Sequence, residues 1–141
     1  MTGLVVDASI ALAWYFEDEV SPLAMAAFEA SNSMRIVVPP HWYFEISNGI
    51  LVGERKGRMN PSDVGPFVSR LSDLIIEIDD TAVGAAMTQI LPLARDCQLT
   101  VYDALYLELA VRHTLPLATL DRDLELAARK AGVTLFTGDE L

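Results

Sequence analysis

Short apolar runs alternate with longer helical patterns along the chain. Runs of three or four residues rich in Val, Ile and Leu predict buried strands, and they lie at residues 4–6, 36–38, 75–78, 116–118 and 133–135. Stretches with apolar residues at helical spacing predict helices, and they lie at residues 9–16, 21–30, 41–56, from 60 onward, 81–94, 100–113 and from 121 or 123 to 131–132. Strands that alternate with helices favour an α/β domain with a mainly parallel sheet.

Several of these helices carry residues that start or stop a helix. Ser21 before Pro22 is typical of an N-cap followed by the first helical position. Gly57 is placed to end the helix over residues 41–56. Pro92 lies inside the helix predicted over residues 81–94, and we expect it to kink or split that helix because proline has no backbone N–H.

Length and composition narrow the class of protein. The 141 residues predict a single domain, residues 1–141, and the 52% share of apolar residues excludes a disordered chain. No apolar run reaches the roughly 18 residues of a membrane-spanning helix, and Met1 to Asp7 lack the basic residues of a secretory signal. The single cysteine, Cys97, cannot form an internal disulfide. We therefore expect a reduced, cytoplasmic protein that does not associate with membranes.

The net charge of −10 argues against a simple nucleic-acid coat or arm, which would be basic. It fits a basic partner or a site that collects metal cations. The same charge is also a common source of solubility and has no further meaning in many proteins.

Four acidic residues, far apart in sequence, fall where one edge of the predicted sheet would gather them. Asp7 ends the first strand and Asp121 lies just past the fourth, while Asp103 lies in the first turn of a helix. Glu45 lies on the helix that follows the second strand. Because ligands bind at the carboxyl ends of strands in an open parallel sheet, these positions predict a site.

Three of the four acids also have a local structural explanation. Asp7 and Asp121 are placed to cap helices, and Asp103 follows Thr100 at the spacing of a capping box. Glu45 is different, because it interrupts the apolar run at residues 42–46 inside a helix, where no cap is needed. A half-buried acid in such surroundings requires a cation or strong hydrogen-bond donors.

Converging carboxylates repel one another unless a cation lies between them. Oxygen ligands favour Mg²⁺, with Mn²⁺ as a substitute, and no His/Cys pair at zinc spacing is present. Carboxylate-bound Mg²⁺ suits the attack of water on a phosphodiester. Ser9, Thr119 and Asn48 lie close to these acids in sequence or helical spacing, where they could orient ligands or metal-bound water. For Ser9 and Thr119, a local backbone hydrogen bond is an equally good explanation.

Four segments, in order, resemble the signature blocks of PIN-domain nucleases. They are VVDASI at 5–10, EISN at 45–48, YDALYLELA at 102–110 and LATLDRDL at 117–124. Within that group the chain is most similar to the VapC toxins of bacterial toxin–antitoxin pairs, in length and in the Asp-Ala-Ser opening. Each block alone is a weak signal, but the ordered set covers nearly the whole chain.

The resemblance implies a three-layer sandwich with a five-stranded parallel sheet and helices on both faces. It implies Mg²⁺-dependent endoribonuclease activity, with the catalytic and metal-binding quartet Asp7, Glu45, Asp103 and Asp121. It also implies that polar residues support this quartet, and these are Ser9, Asn48, Thr119 and Asp123. Members of the group usually form homodimers and are blocked by an antitoxin that threads a segment into the acidic groove.

Other classes fit the residues less well. A phosphoacceptor receiver domain needs a lysine near the site, whereas Lys56 and Lys130 both lie in helical patterns away from strand ends. A haloacid-dehalogenase-like phosphatase would have Asp-x-Asp after the first strand, where this chain has Asp7-Ala8-Ser9. Two alternatives within the fold remain open: a PIN nuclease of RNA processing and a non-catalytic PIN-like interaction module. The complete quartet argues against the module.

The remaining charged and aromatic residues have structural roles as their favoured interpretation. The basic cluster Arg55, Lys56 and Arg58 could contact an RNA backbone, but basic residues at the end of a helix more often interact with its dipole. We expect the two histidines, His41 and His113, to be structural or on the surface. The aromatic runs at 14–16 and 42–44 favour core or dimer contacts over base stacking.

Overall fold

The computed structural model describes residues 3–139 and contains a parallel sheet of four strands. The strands are β1 (Gly3–Val6), β2 (Arg35–Val38), β3 (Ile76–Ile78) and β4 (Leu117–Ala118), and their order in the sheet is β3-β2-β1-β4. β1 lies in the middle and pairs with β2 on one side and β4 on the other. All four residues of β1 are buried, as its wholly apolar sequence predicts.

The helices of residues 3–139 connect these strands. They are α1 (Ala8–Tyr15), α2 (Pro22–Ala30), α3 (Trp42–Arg55), α4 (Val64–Ser72), α5 (Leu91–Cys97), α6 (Val101–His113) and α7 (Arg122–Lys130). Ser21 caps α2 through the backbone N–H of Ala24, with Pro22 in the first turn, as the sequence predicts. None of these helices combines the length and the apolar character needed to cross a membrane.

The prediction of a fifth strand at residues 133–135 is wrong. Leu135 forms one isolated parallel bridge to Leu117, supported by hydrogen bonds of 2.9 Å from Leu117 N–H to Thr134 O and from Phe136 N–H to Leu117 O. The pairing stops there because β4 is only two residues long, and the chain after Ala118 leaves the sheet edge. A longer strand would have no partner to extend along.

The helix predicted over residues 81–94 is also different. The segment forms a 3₁₀ turn at Val83–Ala85 and a π-helical turn at Ala86–Ile90, and only then the α-helix α5. Pro92 lies in the first turn of α5, where its missing N–H needs no partner. The split at Pro92 is therefore confirmed, but the continuous helix before it is not.

The order of the strands places a crevice at the carboxyl ends of β1 and β4. The chain moves from β1 to β2 to β3 in one direction and then returns across the sheet to β4. Because crossovers between parallel strands are right-handed, α1–α4 and α5–α7 lie on opposite faces of the sheet. The helices that follow the neighbouring strands β1 and β4 thus diverge to opposite sides, which is where open α/β sheets bind ligands.

Two glycines bring α3 close to α1. A Cβ atom at Gly53 would lie 2.4 Å from the ring of Phe16, and one at Gly49 would lie 2.5 Å from the side chain of Leu12. Trp42, at the start of α3, is fully buried in the core. This close packing holds α3, and with it Glu45, against the first βα unit.

Candidate metal centre

Asp7 is a buried carboxylate, only 3% exposed, at the carboxyl end of β1. Its Oδ1 accepts hydrogen bonds from the Ser9 hydroxyl at 2.6 Å and from the Ile10 N–H at 3.2 Å, so that Asp7 caps α1. Its Oδ2 accepts a hydrogen bond from the hydroxyl of Thr119, which is itself buried. The cap that the sequence suggested is present, and Ser9 and Thr119 fix the carboxylate from both sides.

Ser9 and Thr119 also join the ends of β1 and β4. The Ser9 hydroxyl oxygen accepts a 2.9 Å hydrogen bond from the Leu120 N–H, and the Thr119 hydroxyl oxygen accepts one of 2.9 Å from the Asp121 N–H. Asp121 then caps α7 by accepting a hydrogen bond from the Leu124 N–H at 2.9 Å. The two loops are therefore held in one arrangement, with Asp7 and Asp121 on either side of the crevice.

Glu45 reaches the crevice from α3 on the opposite face of the sheet from α6. Its Oε1 accepts a 2.6 Å hydrogen bond from the Tyr106 hydroxyl, and Nε2 of His41 lies 3.2 Å from the same oxygen. Burial alone would raise the pKa of Glu45, but the contacts with His41 and Tyr106 outweigh it and hold that pKa below its usual value. Glu45 is partly buried inside its apolar run and contacts a strong donor, as the sequence predicted.

Asp103 is the electrostatic centre of the group. It lies in the first turn of α6, and its backbone N–H donates a 3.1 Å hydrogen bond to the Thr100 hydroxyl oxygen that caps the helix. Burial, followed by the negative charges of Asp121 and Glu45, raises the pKa of Asp103 to about 6. The capping spacing in the sequence is real, but the cap uses the side chain of Thr100 and leaves the Asp103 carboxylate for other contacts.

Asp7 shares this charge environment. Burial raises the pKa of Asp7 to about 6, and the charge of Asp103 adds to it, although the hydrogen bonds to Asp7 work in the opposite direction. Like charges that raise one another's pKa lie within reach of each other. Asp103 is therefore close enough to Asp7, Glu45 and Asp121 for its charge to interact with each of theirs.

Asp79, which follows β3, shows how the fold treats an acid that it neutralises. Arg112 binds Asp79 through two hydrogen bonds of 2.9 and 3.1 Å, and Nε2 of His113 lies 2.6 Å from it. The bonds from Arg112 hold the pKa of Asp79 far below its usual value. Within residues 3–139, no Arg or Lys forms such an ion pair with Asp7, Asp103 or Asp121. Asp7, Asp103 and Asp121 therefore have no Arg or Lys partner in this part of the chain, and the nearest basic group to Glu45 is His41.

The donor chemistry of this group fits a divalent cation. All four side chains offer oxygen, which Mg²⁺ and Mn²⁺ prefer. A cation would offset both the burial and the smaller like-charge repulsion that raise the pKa of Asp7 and Asp103. Among residues 3–139, no three Asp, Glu, His or Cys side chains already stand at coordinating distance. The negative charge and the oxygen donors of these side chains are therefore what indicate a metal, since the side chains do not yet form a complete coordination shell.

Two of the predicted supporting residues are not drawn into the group. Asn48 is exposed on α3, one turn beyond Glu45. Asp123 is exposed in the first turn of α7 and lines a groove of about 620 Å³ together with Cys97 and Lys130. The structure shows no contact of either side chain with the four acids.

Sequence reasoning missed two residues that contact Glu45. His41 was expected to be structural or on the surface, but it lies beside Glu45, four positions earlier on the same helix face. Tyr106 lies three positions after Asp103 on α6 and is 1% exposed. Helical spacing from a predicted site residue was the available signal for both.

The other charged and aromatic residues have mainly structural contacts. Arg58 binds Asp18 through hydrogen bonds of 2.7 and 3.1 Å and stacks 3.8 Å above the ring of Phe16, so it is not a free RNA contact. Trp14 donates a 2.7 Å hydrogen bond to Ala24 O, which supports its prediction as a core residue. Phe44, in contrast, is 77% exposed.

The geometry above agrees with a comparison against known protein families. The model of the PIN domain matches residues 4–140. The chain belongs to the PIN-domain family. PIN domains are generally nucleases, which are hydrolases, and they typically use divalent metals. No curated protein matches the chain.

Two solved structures share the PIN fold of this chain. The crystal structure of PAE2754 from Pyrobaculum aerophilum has a TM-score of 0.62 and 23% identity, and the match covers 93% of this chain and 90% of that chain. The crystal structure of FitAcB from Neisseria gonorrhoeae has a TM-score of 0.63 and 17% identity, and the match covers 98% of this chain and 99% of that chain. At these identities the likeness shows the fold alone.

Proposed function

We propose that this PIN domain is a Mg²⁺-dependent endoribonuclease and the toxic component of a type II toxin–antitoxin pair. Asp7, Glu45, Asp103 and Asp121 would hold the cation, for which Mn²⁺ would substitute. The observation that carries the proposal is that Asp103 lies close enough to Asp7, Glu45 and Asp121 for their charges to interact, while no Arg or Lys of residues 3–139 pairs with Asp7, Asp103 or Asp121. Asp79, a part-buried acid that follows another strand, is by contrast paired with Arg112 and His113.

The chain's own residues would prepare this site in three ways. Ser9 and Thr119 orient the buried Asp7 carboxylate, and Tyr106 holds Glu45 from the opposite side of the crevice. The pKa of Asp103 lies at about 6, so at neutral pH most of the molecules carry an ionised carboxylate there. When bound, the cation would activate a water molecule and neutralise charge that develops on the scissile phosphate.

The chain resembles VapC toxins in its signature blocks, which lie at residues 5–10, 45–48, 102–110 and 117–124. This resemblance supports RNA as the substrate and an antitoxin as the partner. The net charge of −10 repels RNA at long range but attracts a basic inhibitory segment. An Arg or Lys of such a segment would lie near Asp7 and Asp103 and compete with the cation. We also propose that the chain forms a homodimer and acts in the cytoplasm.

The proposal is tested by RNA cleavage with single-charge variants. Asp7→Asn and Asp103→Asn should each lower the cleavage rate in Mg²⁺ by about 100-fold or more. Mutating a residue that only hydrogen-bonds to a metal ligand typically lowers metal affinity or activity by about 10–100-fold, and loss of a ligand should cost at least as much. Asp96→Asn, an exposed acid on α5, is the matched control and should cleave like wild type. Cleavage that survives both site variants would contradict the proposed site.

The same variants separate the toxin from the other PIN functions. Induced expression of the wild type should stop bacterial growth, and expression of Asp103→Asn should not. Cleavage without growth arrest would instead favour a nuclease of RNA processing. A protein that cleaves no RNA with either Mg²⁺ or Mn²⁺ would be the non-catalytic interaction module.

A further inference from the structure

Both contacts of the Glu45 carboxylate fall on the same oxygen. The Tyr106 hydroxyl donates a hydrogen bond to Oε1 at 2.6 Å, whereas Nε2 of His41 lies 3.2 Å from Oε1 as an ion-pair contact without the geometry of a hydrogen bond. In residues 3–139, no hydrogen bond or ion pair engages Oε2. One oxygen of Glu45 is therefore held by the protein, and the other remains available.

The two side chains that contact Oε1 also pack against each other. Tyr106 is 1% exposed, and its ring lies 5.1 Å from the ring of His41 in an edge-on arrangement. The other neighbour of the His41 ring is Tyr102, at 5.4 Å. His41 thus contacts two tyrosines of α6, of which Tyr106 is buried and Tyr102 is 59% exposed.

Tyr106 also links the two halves of the acidic group. It stands one helical turn after Asp103 on α6, whereas Glu45 comes from α3 across the crevice. The hydrogen bond therefore ties Glu45 of α3 to the helix that carries Asp103. Any buried donor could satisfy Glu45. The donor here comes from α6, the helix that also carries the proposed metal ligand Asp103.

We propose that Tyr106 and His41 are positioning residues that hold Glu45 by Oε1 and present Oε2 to the divalent cation. This inference rests on the proposed metal site and adds two residues to it. Neither side chain is expected to touch the cation or the RNA. Partners that orient a ligating carboxylate usually contribute 10–100-fold to metal affinity, and we expect a loss of that size when the Tyr106 hydroxyl is removed.

The test measures Mn²⁺ binding to the metal-free protein by isothermal titration calorimetry, without RNA. Tyr106→Phe removes the hydroxyl and should weaken Mn²⁺ binding about 10-fold or more. Tyr15→Phe is the matched control, because Tyr15 is also buried but its hydroxyl has no hydrogen-bond partner and contacts no acid of the site. It should bind Mn²⁺ as tightly as wild type.

A second measurement distinguishes positioning from catalysis. For Tyr106→Phe, the Mg²⁺ concentration at half-maximal RNA cleavage should rise with the loss of affinity, while saturating Mg²⁺ should restore most of the rate. His41→Phe keeps the ring but removes the nitrogen beside Oε1, so it should change Mn²⁺ affinity in the same direction, and it provides the test if Tyr106→Phe does not fold.

The outcomes separate this inference from the function on which it rests. A wild-type protein that binds no Mn²⁺ would contradict the metal site itself. If the wild type binds Mn²⁺ and Glu45→Gln weakens it, but Tyr106→Phe and His41→Phe do not, then only the positioning role is overturned. Weaker binding in all three variants, with Tyr15→Phe unchanged, supports the proposal.

Discussion

Replacing Asp103 by Asn should stabilise the metal-free protein at neutral pH and change its stability little near pH 4. The wild-type carboxylate has a pKa of about 6 in the folded chain against an ordinary value of 3.8. The folded state therefore binds this proton more tightly than the unfolded state does. Its contribution to stability is complete below about pH 4 and is lost as the pH rises through 6. The Asn side chain is uncharged at every pH, so the variant does not lose this stability as the pH rises.

The size of the effect follows from the same values. The difference between 3.8 and about 6 corresponds to about 3 kcal/mol, and solvent screening at this half-buried position reduces it to about 1.5 kcal/mol. Loss of an acid from the first helical turn costs about 0.3–1 kcal/mol. The cap itself survives, since it uses the Asp103 N–H and the Thr100 side chain. The net gain is about 1 kcal/mol, or about 3 °C in Tm for a domain of this length.

The assay is urea or thermal denaturation in EDTA at several pH values between 4 and 8. Asp123→Asn is the matched control, because Asp123 also lies in the first turn of a helix but is exposed. It should lose a few tenths of a kcal/mol through the helix dipole, with no change in that loss near pH 6. If wild type is at least as stable as Asp103→Asn at pH 8, or if their difference does not vary with pH, the raised pKa of Asp103, and with it the burial and repulsion that cause it, is contradicted.

Further predictions concern the metal, the partner and the fold. EDTA should abolish RNA cleavage and Mg²⁺ or Mn²⁺ should restore it; full activity in EDTA would exclude the mechanism. Binding of a cognate antitoxin should weaken as Mg²⁺ rises at constant ionic strength, and an unchanged affinity would mean that inhibition uses another surface. Asp79→Asn should lower the free energy of unfolding by about 1–3 kcal/mol at pH 7 through the loss of its bonds to Arg112. The difference in free energy of unfolding between wild type and Asp79→Asn should shrink as the pH falls below about 4. Arg112 lowers the pKa of Asp79, so protonation of Asp79 in the wild type removes the stability that the variant already lacks. A difference in denaturation midpoint that stays constant with pH would refute this prediction. Gly53→Ala should lower Tm, because its Cβ would lie 2.4 Å from the Phe16 ring, and an unchanged Tm would show that α1 and α3 can separate.

The positions of Asp7, Ser9 and Thr119 were predictable because they depend on local rules. A polar residue directly after a buried parallel strand lies at the carboxyl edge of the sheet, whatever the details of the helices. Ser9 and Thr119, each two residues from an acid, then come within reach of Asp7. For these residues, the strand ends determine the contacts.

The contacts of Glu45 could not be predicted in the same way. Tyr106 is 61 positions away on another helix, so their hydrogen bond depends on how far each helix is rotated about its axis. That rotation is set by packing, including the close approach of α3 to α1 at Gly53. Patterns of apolar residues give the buried face of a helix to within a residue or two, which is too coarse to place a hydroxyl on one carboxylate oxygen.

The wrong predictions about secondary structure also have a physical basis. Residues 133–135 have the composition of a strand, but a strand needs a partner of matching length, and β4 offers only Leu117 and Ala118. Residues 81–90 have helical spacing, but the turns observed there are 3₁₀ and π rather than α. In both segments, the surrounding structure decides what the local pattern leaves open.

The most direct test of the central claim is a crystal structure with Mn²⁺, located by its anomalous scattering. The account predicts a peak in the crevice at the carboxyl ends of β1 and β4, within about 2–2.5 Å of carboxylate oxygens of Asp7 and Asp103. It also predicts that Asp103→Asn crystals treated in the same way lose most of that peak. A well-occupied Mn²⁺ elsewhere on the chain, with none in this crevice, would contradict the assignment of these acids as the metal centre.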